Sequence, residues 1–347
     1  MPSRLPKKPS SDDVARLASV SRATVSYVLN GKSAGLVSDE TCERVYAAAR
    51  QVGYRVNNLA KGLKSGRTAL IGVFCKVRED SFHARLLHGI YDICYDAGYN
   101  VLIAYLGANE QIEEECLQRM LDYNVTGIIR IASANLSDVE INRLSRMQTH
   151  GDTPCVLVDD PTHGDLFDSV VSDDKAGAIA AVQHLISLGH TRIGHINTGN
   201  VANRGRRARH EGFLAAMRSA DLPANDILVS PVFDNDEIDA IRAFMDQPDR
   251  PTALFCTNDW GAGITREVVR KLGIRVPEDL AIVGFGDNEI AKCSGLTTVH
   301  EEPELMGQQA VRLLLARKDM PAIDHASVVE PTRLVIREST RPVLNKR

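Results

Sequence analysis

The sequence lacks the features that would place the protein in a membrane, outside the cell or around a metal ion. It has no apolar run near the ~18 residues of a membrane span. Its start, MPSRLPKKPSSDD, has no apolar core for a secretory signal. The seven cysteines are scattered without a Cys-x-x-Cys pair. We therefore expect free thiols, no metal site, no membrane contact and a cytoplasmic location.

The sequence also lacks the residue patterns of catalysis. The ten histidines form no His-Glu-x-x-His pattern and no Cys/His zinc spacing. Residues Gly31–Gly35 have the Gly-x-Ser-x-Gly spacing, but the strand that must precede a nucleophile elbow is missing. Because no paired carboxylates or triad stand in a suitable context, we predict that the protein is not an enzyme and has no cofactor.

Charge is distributed unevenly along the 347 residues. Residues 1–68 hold twelve Lys/Arg and five Asp/Glu, a net +7, whereas the remainder holds 29 and 40, a net −11. With 44% hydrophobic and 25% charged residues, the chain has the composition of a globular protein. A basic head on a larger acidic body indicates either a module that binds a polyanion or a basic tail without a partner.

The basic head has the signals of short, capped helices. Ser10, Ser21 and Ser38 each stand where an N-cap is expected, and apolar residues follow each of them at helical spacing. Two short helices joined by a tight turn, with a third behind them, form a helix-turn-helix. We therefore predict a disordered tail at 1–10 and a helix-turn-helix domain at 11–56.

The second helix of such a domain presents its first residues to the DNA major groove. Arg22 can donate twice to a guanine edge, and Ala23 can contact a thymine methyl. The alternative is an ordinary three-helix domain without DNA. The residues of this helix that we predict to contact DNA are Arg22, Ala23, Thr24, Ser26, Tyr27 and Asn30.

These stretches resemble the LacI (lactose/purine repressor) family of bacterial transcriptional regulators. Asp13–Asn30 is similar to the first two helices of that family, and Ser38–Tyr54 to the third. Ser19 stands where the turn usually has glycine, which is tolerable if its φ is negative. Tyr27 stands where the family often has arginine, so we expect different operator bases to be contacted there.

Residues 57–68 resemble the hinge of the same family. An isolated helix this short is marginal in water, so it should order only when two copies pack on DNA. The resemblance implies that Leu63 inserts into the minor groove, with Ala60 beside it. A plain solvated linker is the alternative. The hinge residues expected at the DNA are Asn57, Leu59, Ala60 and Leu63.

From residue 69 onward, short apolar runs alternate with amphipathic stretches. This alternation predicts βαβ units and parallel sheets, and two successive series indicate two lobes around a cleft. The fold class is thus a small all-α helix-turn-helix head plus an α/β body that resembles periplasmic binding proteins. We place the body at 69–340, with lobe 1 at about 69–167 and 297–325 and lobe 2 at about 168–296 and 326–340.

The body resembles the LacI family and the periplasmic sugar-binding proteins through stretches such as Asp173–Gly177 and Cys256–Asp259. A cleft for a small polyol needs a few polar groups and an aromatic platform. The alternatives are a salt bridge for Arg209, helix capping for the aspartates and core packing for Phe82. The resemblance implies that the effector contacts Phe82, His83, Asp173, Arg209, Phe233, Asn258 and Asp287.

Gly286 stands where many relatives have aspartate. The missing carboxylate removes a hydroxyl acceptor and a negative charge near Arg209. We therefore hypothesise that the ligand is a sugar acid or another acidic metabolite.

Together these features predict a ligand-controlled repressor in the bacterial cytoplasm, associated with the nucleoid. It would bind double-stranded operator DNA of near-palindromic sequence as a homodimer, and a small-molecule effector would change its DNA affinity. A sugar-binding protein without a DNA role is the alternative, and an α/β enzyme is a further one.

Overall fold

The computed structural model describes residues 9–54, 68–75, 81–105, 110–131, 136–151, 153–198, 203–229, 235–321 and 323–341. The chain divides into two compact units, Met1–Thr68 and Ala69–Arg347. This division falls at the predicted boundary between the hinge and the body.

The first unit is the expected set of three helices: α1 (Ser11–Ala18), α2 (Arg22–Leu29) and α3 (Asp39–Val52). A serine side chain caps each helix by accepting a backbone N–H of its first turn, and α1 has a full capping box with Asp13. Small and β-branched residues form the core, which allows short helices to approach closely. The core residues are Val14, Ala15, Ala18, Val25, Val28, Val45, Ala48 and Ala49.

Ser19 closes α1 in the left-handed conformation, with φ of 54°. The condition of a negative φ is therefore not met. The chain must turn sharply here, and the N–H of Val20 reaches back 3.0 Å to the carbonyl oxygen of Ala15. A side chain in this conformation costs about 1 kcal/mol relative to glycine.

The second unit alternates strands and helices along the chain. Among its described helices, none is long and apolar enough to cross a membrane. In chain order its elements are β1 (Leu70–Cys75), α4 (Ser81–Asp96), β2 (Asn100–Tyr105), α5 (Glu110–Asp122), β3 (Gly127–Ile131), α6 (Asp138–Gly151), β4 (Cys155–Val158), β5 (Asp168–Ser172), α7 (Asp174–Ser187), β6 (Ile193–Thr198), α8 (Arg204–Ser219), β7 (Asn225–Val229), α9 (Asn235–Met245), β8 (Ala253–Cys256), α10 (Asp259–Lys271), β9 (Ala281–Gly286), α11 (Glu289–Ser294), β10 (Thr297–His300), α12 (Pro303–Asp319), β11 (Ser327–Glu330) and β12 (Arg333–Val335).

The first sheet has six strands in the order β11-β5-β4-β3-β1-β2, and all its neighbours are parallel. Helices α4 and α12 pack together against one core that includes Ile71, Ile129 and Val156. Glycine permits this close approach, because a Cβ on Gly89 would lie 2.0 Å from the carbonyl oxygen of Glu304.

The second sheet also has six strands, in the order β12-β10-β9-β8-β6-β7. Its neighbours are parallel except β12, which is antiparallel to β10. Aromatic side chains fill the space between this sheet and helices α7 and α8; among them Phe213, Phe255 and Phe285 are almost fully buried.

The predicted lobe boundaries were wrong at three strands. We assigned β11 to the second lobe, but it pairs with β5 in the first sheet, Val328 opposite Val170. We assigned β5 to the second lobe, but it pairs with β4 in the first sheet, Val156 opposite Asp168. We assigned β10 to the first lobe, but it pairs with β9 in the second sheet, Thr297 opposite Val283. Chain order suggested otherwise because segment 159–167, between β4 and β5, contains no helix that would mark a crossover within one sheet.

The chain therefore crosses between the two sheets at residues 172–174, 300–303 and 330–333. Two of these crossings are joined directly, because the N–H of Asp173 donates to the carbonyl oxygen of Glu330 at 2.9 Å. The hydroxyl of Thr332 also donates to the carbonyl oxygen of Asp173, at 3.1 Å. The candidate functional site lies around these crossings.

Candidate functional site

Helix α2 exposes the face that the sequence predicted for DNA. Arg22, Ala23, Ser26 and Tyr27 are exposed, whereas the intervening Val25 is buried. This alternation follows from packing, since the apolar positions of α2 face α1 and α3. A row of exposed side chains at the start of a capped helix matches the surface that enters a major groove.

Two predicted contact residues of α2 also stabilise the helix ends. The N–H of Thr24 donates to Oγ of Ser21 at 3.0 Å. The side-chain amide of Asn30 donates to the carbonyl oxygen of Ser26 at 2.7 Å. Arg22 lies 3.7 Å from Asp12 in an exposed pair, which is worth at most about 1 kcal/mol and leaves the guanidinium available to DNA.

The predicted hinge residues lie outside the described part of the chain, as does Phe233. Their roles therefore stay predictions. The hinge residues concerned are Asn57, Leu59, Ala60 and Leu63.

A cavity of about 140 Å³ lies between the two sheets of the second unit. Strand ends supply much of its wall, since Asp159 follows β4, Asn258 follows β8 and Glu301 follows β10. This is the edge at which open α/β sheets bind ligands. The lining residues are Ser81, Phe82, His83, Arg85, Asp159, Asn203, Arg206, Arg209, Asn258, Trp260, Phe285, Gly286, Asn288 and Glu301.

Several predicted effector residues meet in this cavity: Phe82, His83, Arg209 and Asn258. Phe82 combines both alternatives that the sequence left open, because it lines the cavity and also packs against the core of the first sheet. Asn258 lines the cavity while its Oδ1 accepts the N–H of Gly261 at 2.7 Å, which caps α10.

Asp173 is placed elsewhere, at the start of α7. Its Oδ1 accepts the N–H of Ala176 at 3.1 Å, which is the capping role given as its alternative. The cavity lining does not include Asp173.

Asp287 is likewise engaged by protein groups rather than by the cavity. It is 5% exposed, receives a hydrogen bond from Nη2 of Arg337 at 2.6 Å, and lies 2.9 Å from Nδ1 of His300. Burial opposes its ionisation, but the hydrogen bonds from Arg337 and His300 outweigh burial and lower the pKa of Asp287. The carboxylate thus fastens the ends of β9, β10 and β12.

Arg209 is the central cation of the cavity wall. Its Nε donates to Asp174 at 2.7 Å, Nη1 to the carbonyl oxygen of Thr257 at 2.9 Å, and Nη2 to Glu301 at 3.0 Å. The guanidinium also lies 3.8 Å from the ring centroid of Phe285, a cation–π distance. Burial disfavours the charge, but Glu301 and Asp174 more than compensate and raise the pKa of Arg209.

A cluster of buried carboxyl groups surrounds this arginine. Asp174 is fully buried between Arg204 and Arg209. Burial, reinforced by the neighbouring Asp174, raises the pKa of Asp159 to about 7 and that of Glu301 to about 8. Acidic groups thus outnumber the basic groups that contact them, and part of the cluster holds protons near neutral pH.

Four residues of this site were not predicted from the sequence: Asp159, Asp174, Glu301 and Trp260. A signal for two of them was available, because Asp159 and Glu301 each come directly after a buried strand. Applying the strand-end rule to every predicted strand would have found Asp159. Glu301 required the placement of β10, which chain order alone did not give.

Two sequence profiles match the chain. The profile of the bacterial regulatory proteins of the lacI family matches residues 12–57. The profile of the periplasmic binding protein-like domain matches residues 182–340. The first covers the helices with the exposed α2 face, and the second covers all six strands of the second sheet.

Full-length relatives agree with these matches. The ribose operon repressor of Escherichia coli (strain K12) is 32% identical over 318 residues, which are 90% of this chain and 93% of that protein. The HTH-type transcriptional repressor PurR of Haemophilus influenzae (strain PittEE) is 31% identical over 341 residues, 96% of this chain and 98% of its own. The solved structure of the transcriptional regulator CelR in complex with cellobiose is 27% identical, with a TM-score of 0.70, and the match covers 96% of this chain and 100% of that chain. This chain belongs to the LacI family of bacterial transcriptional regulators.

Proposed function

We propose that this protein represses transcription by binding operator DNA through α2. A small polar metabolite that binds between the two sheets lowers or raises its affinity for that DNA. The observation that carries the proposal is the exposed start of α2 in a capped helix-turn-helix, on the same chain as a polar cavity. The relatives that match nearly the whole chain are named as repressors, and CelR is named as a complex with cellobiose.

Arg209 gives the cavity a physical connection to the crossings between the sheets. Helix α8 carries Arg209, which binds Asp174 at the end of one crossing and Glu301 within another. A ligand that binds differently to open and closed arrangements of the sheets shifts the balance between them. A ligand that contacts Arg209 or Glu301 therefore acts directly on the segments about which the sheets would move.

A second copy of the chain is expected to pack on α4 and β2. Tyr91 and Tyr95 of α4 are 55% and 69% exposed, and their rings stack with centroids 5.9 Å apart. Ile103, 50% exposed, lies on β2, which forms the edge of the first sheet and contacts α4. We assign this apolar surface of Tyr91, Tyr95 and Ile103 to the homodimer, because a palindromic operator needs two DNA-binding heads.

The same proposal places the protein in the bacterial cytoplasm at the nucleoid, where the operator is. It works without a metal or a resident cofactor, and it does not transform the metabolite. What supports this is the repressor function of the relatives.

Selection of bound duplexes from a random DNA pool tests the proposal. The full-length protein should enrich a palindrome at moderate salt, and a metabolite mixture should strengthen or weaken that enrichment. Affinity should fall steeply with salt, because basic residues displace counterions from the phosphates. Absence of any enriched sequence with and without metabolites would overturn the repressor function and leave the sugar-binding alternative.

A further inference from the structure

Two buried acidic side chains, Asp259 and Glu301, lie next to Gly286 in the second unit. Gly286 lines the cavity with φ of 125°, a conformation that disfavours any side chain. The position that a Cβ would occupy there lies 3.4 Å from Oδ2 of Asp259 and 3.9 Å from Oε2 of Glu301. Glu301 lines the cavity beside this glycine, and the fully buried Asp259 lies behind it.

Both carboxyl groups are buried, and their hydrogen-bond acceptors are only partly occupied. Glu301 is 3% exposed and Asp259 is fully buried. Among the described residues, Oε2 of Glu301 accepts no hydrogen bond, since Arg209 binds its Oε1. Asp259 accepts the hydroxyl of Thr298 on Oδ1 and the N–H of Asn288 on Oδ2, but no cation contacts it within the same ranges.

Asp159 adds a further carboxyl to the same cavity. It is nearly buried, and its closest cation is Nη1 of Arg204, 3.5 Å from its Oδ1. Arg204 is shared with Asp174, to which it donates at 3.2 Å. Burial and the adjoining acids raise the pKa of both Asp159 and Glu301, as an excess of buried negative charge requires.

The cations of the cavity do not offset this excess at its buried end. Every nitrogen of the Arg209 guanidinium already donates to a protein oxygen, and Phe285 covers one face. Arg85 is paired with Glu304 at 3.4 Å and is partly exposed. Arg206 and His83 also line the cavity, and both are only half-buried.

We propose that the effector carries a protonated amine, which binds beside Gly286 at Oε2 of Glu301. This inference rests on the proposed function, since it names the ligand class of the same cavity. An ammonium group supplies three donors and a full positive charge. It would therefore give Oε2 of Glu301 the cationic partner that this oxygen lacks among the described residues. Phe82, Trp260 and Phe285 supply flat faces for the carbon skeleton of an amino sugar or a similar amino polyol.

The inference differs from the acidic ligand that Gly286 suggested in the sequence. Loss of a carboxylate at position 286 does not make this corner less negative, because Asp259 and Glu301 already direct oxygens toward it. A ligand carboxylate placed there would supply only acceptors to acidic side chains whose ionisation burial already disfavours. An acidic ligand would instead have to bind Arg85 or Arg206.

Matched sugars test the charge preference by titration calorimetry on the full-length protein at pH 7. The probes are glucosamine, glucose and glucuronate, and the corresponding galactose series. We expect an amine to bind about tenfold more tightly than the alcohol of the same skeleton, with the acid weakest. Tighter binding of an acid, equal binding of amine and alcohol, or no binding by either amine would overturn the inference.

A variant pair separates the carboxylate effect from folding. Glu301→Gln keeps the shape and the acceptor for Arg209 but removes the charge, so the amine and the alcohol of the same skeleton should bind this variant with equal affinity. Glu267→Gln is the control, because Glu267 pairs with Arg270 on the exposed face of α10. A preference for the amine that survives in Glu301→Gln would contradict the assigned position.

Operator affinity, measured by fluorescence anisotropy with each sugar, distinguishes the two proposals. If an amine binds but does not change DNA affinity, the ligand class stands and the proposed regulation fails. If glucose or glucuronate changes DNA affinity while the amines do not bind, the regulation stands and the ligand class is wrong.

Discussion

The guanidinium of Arg317 donates to both carboxylate oxygens of Asp168, from Nε at 2.9 Å and from Nη2 at 2.8 Å. Arg317 is 3% exposed and Asp168 2%. The N–H of Ala326 donates to the same carboxylate at 2.8 Å. This buried pair fastens the end of α12 and the segment that follows it to β5, so the first sheet can recruit a strand from the far end of the chain.

Breaking this pair should destabilise the protein strongly. We expect Arg317→Met to lower the free energy of unfolding by about 3–5 kcal/mol, because Asp168 is left as an uncompensated buried charge. Urea denaturation of the purified protein measures the change. Arg270→Met is the matched control, since its pair with Glu267 is exposed and should contribute less than about 1 kcal/mol. Equal effects of the two variants would contradict a structural role for the buried pair.

Ser19→Gly should stabilise the DNA-binding unit. Glycine adopts the left-handed conformation of this residue without the steric cost of a Cβ, and we expect a gain of about 0.5–1 kcal/mol. Hydrogen exchange of the amides of α1 and α3 in the full-length protein reports the change. Ser19→Ala retains the Cβ and is the control. If it slows the exchange of these amides as much as Ser19→Gly does, relief of the left-handed strain does not explain the stabilisation.

Arg22→Ala should weaken operator binding by about 1–3 kcal/mol and relax specificity at one base position. Binding to the selected operator and to single-base variants of it measures both effects. Arg44→Ala, on the exposed surface of α3, controls for the loss of one positive charge. An equal loss of affinity on every sequence would show that Arg22 contacts phosphate instead of a base.

Acid should destabilise the protein through His195. This residue is fully buried, its Nδ1 donates to the carbonyl oxygen of Phe255 at 3.0 Å, and its Nε2 has no hydrogen-bond partner among the described residues. Burial lowers the pKa of His195 to about 3, against about 6.5 in an unfolded chain. The unfolded state therefore binds more protons between these values, and stability is lost as pH falls below about 6.5, by up to about 1.4 kcal/mol per unit.

Unfolding titrations from neutral to acidic pH measure this slope. His195→Asn, which keeps a donor toward Phe255, should flatten the slope even if it lowers stability overall. His88→Asn changes an exposed histidine and should leave the slope unchanged. An unaltered slope in His195→Asn would assign the acid sensitivity to other groups.

Tyr95→Glu should separate the homodimer into single chains. A charge on the exposed surface of Tyr91, Tyr95 and Ile103 would have to be buried without a partner if two copies packed there. Sedimentation equilibrium measures the assembly, and operator affinity should fall together with it. Tyr123→Glu, on another exposed tyrosine, is the control. A dimer that persists in Tyr95→Glu would place the interface elsewhere.

Local features of the sequence were sufficient for the helix-turn-helix and for many of the strands. The caps at Ser10, Ser21 and Ser38 and the apolar run at β1 depend on neighbouring residues only, and the structure has them as predicted. Helices α6, α9, α11 and α12 were not predicted, because charged and polar residues interrupt their apolar positions in the sequence.

Some residues of the effector cavity could also be predicted from the sequence. Arg209 and Asn258 follow from residue type and family resemblance, and both line the cavity. Asp287 has the same chemical signature in the sequence, yet Arg337 and His300 bind its carboxylate in the fold. Nothing local distinguishes these outcomes, since the partners of Asp287 come from other strands.

The sequence by itself determined the basic DNA-binding head, the alternating α/β body and the family. These depend on capping, periodicity and charge, which act over a few residues. Only the tertiary structure decided which sheet receives β5 and β10 and which carboxyl groups surround Arg209. Strand pairing and buried charge depend on residues that are distant in sequence, so Asp159, Asp174 and Glu301 became one acidic cluster only when the chain had crossed between its two sheets.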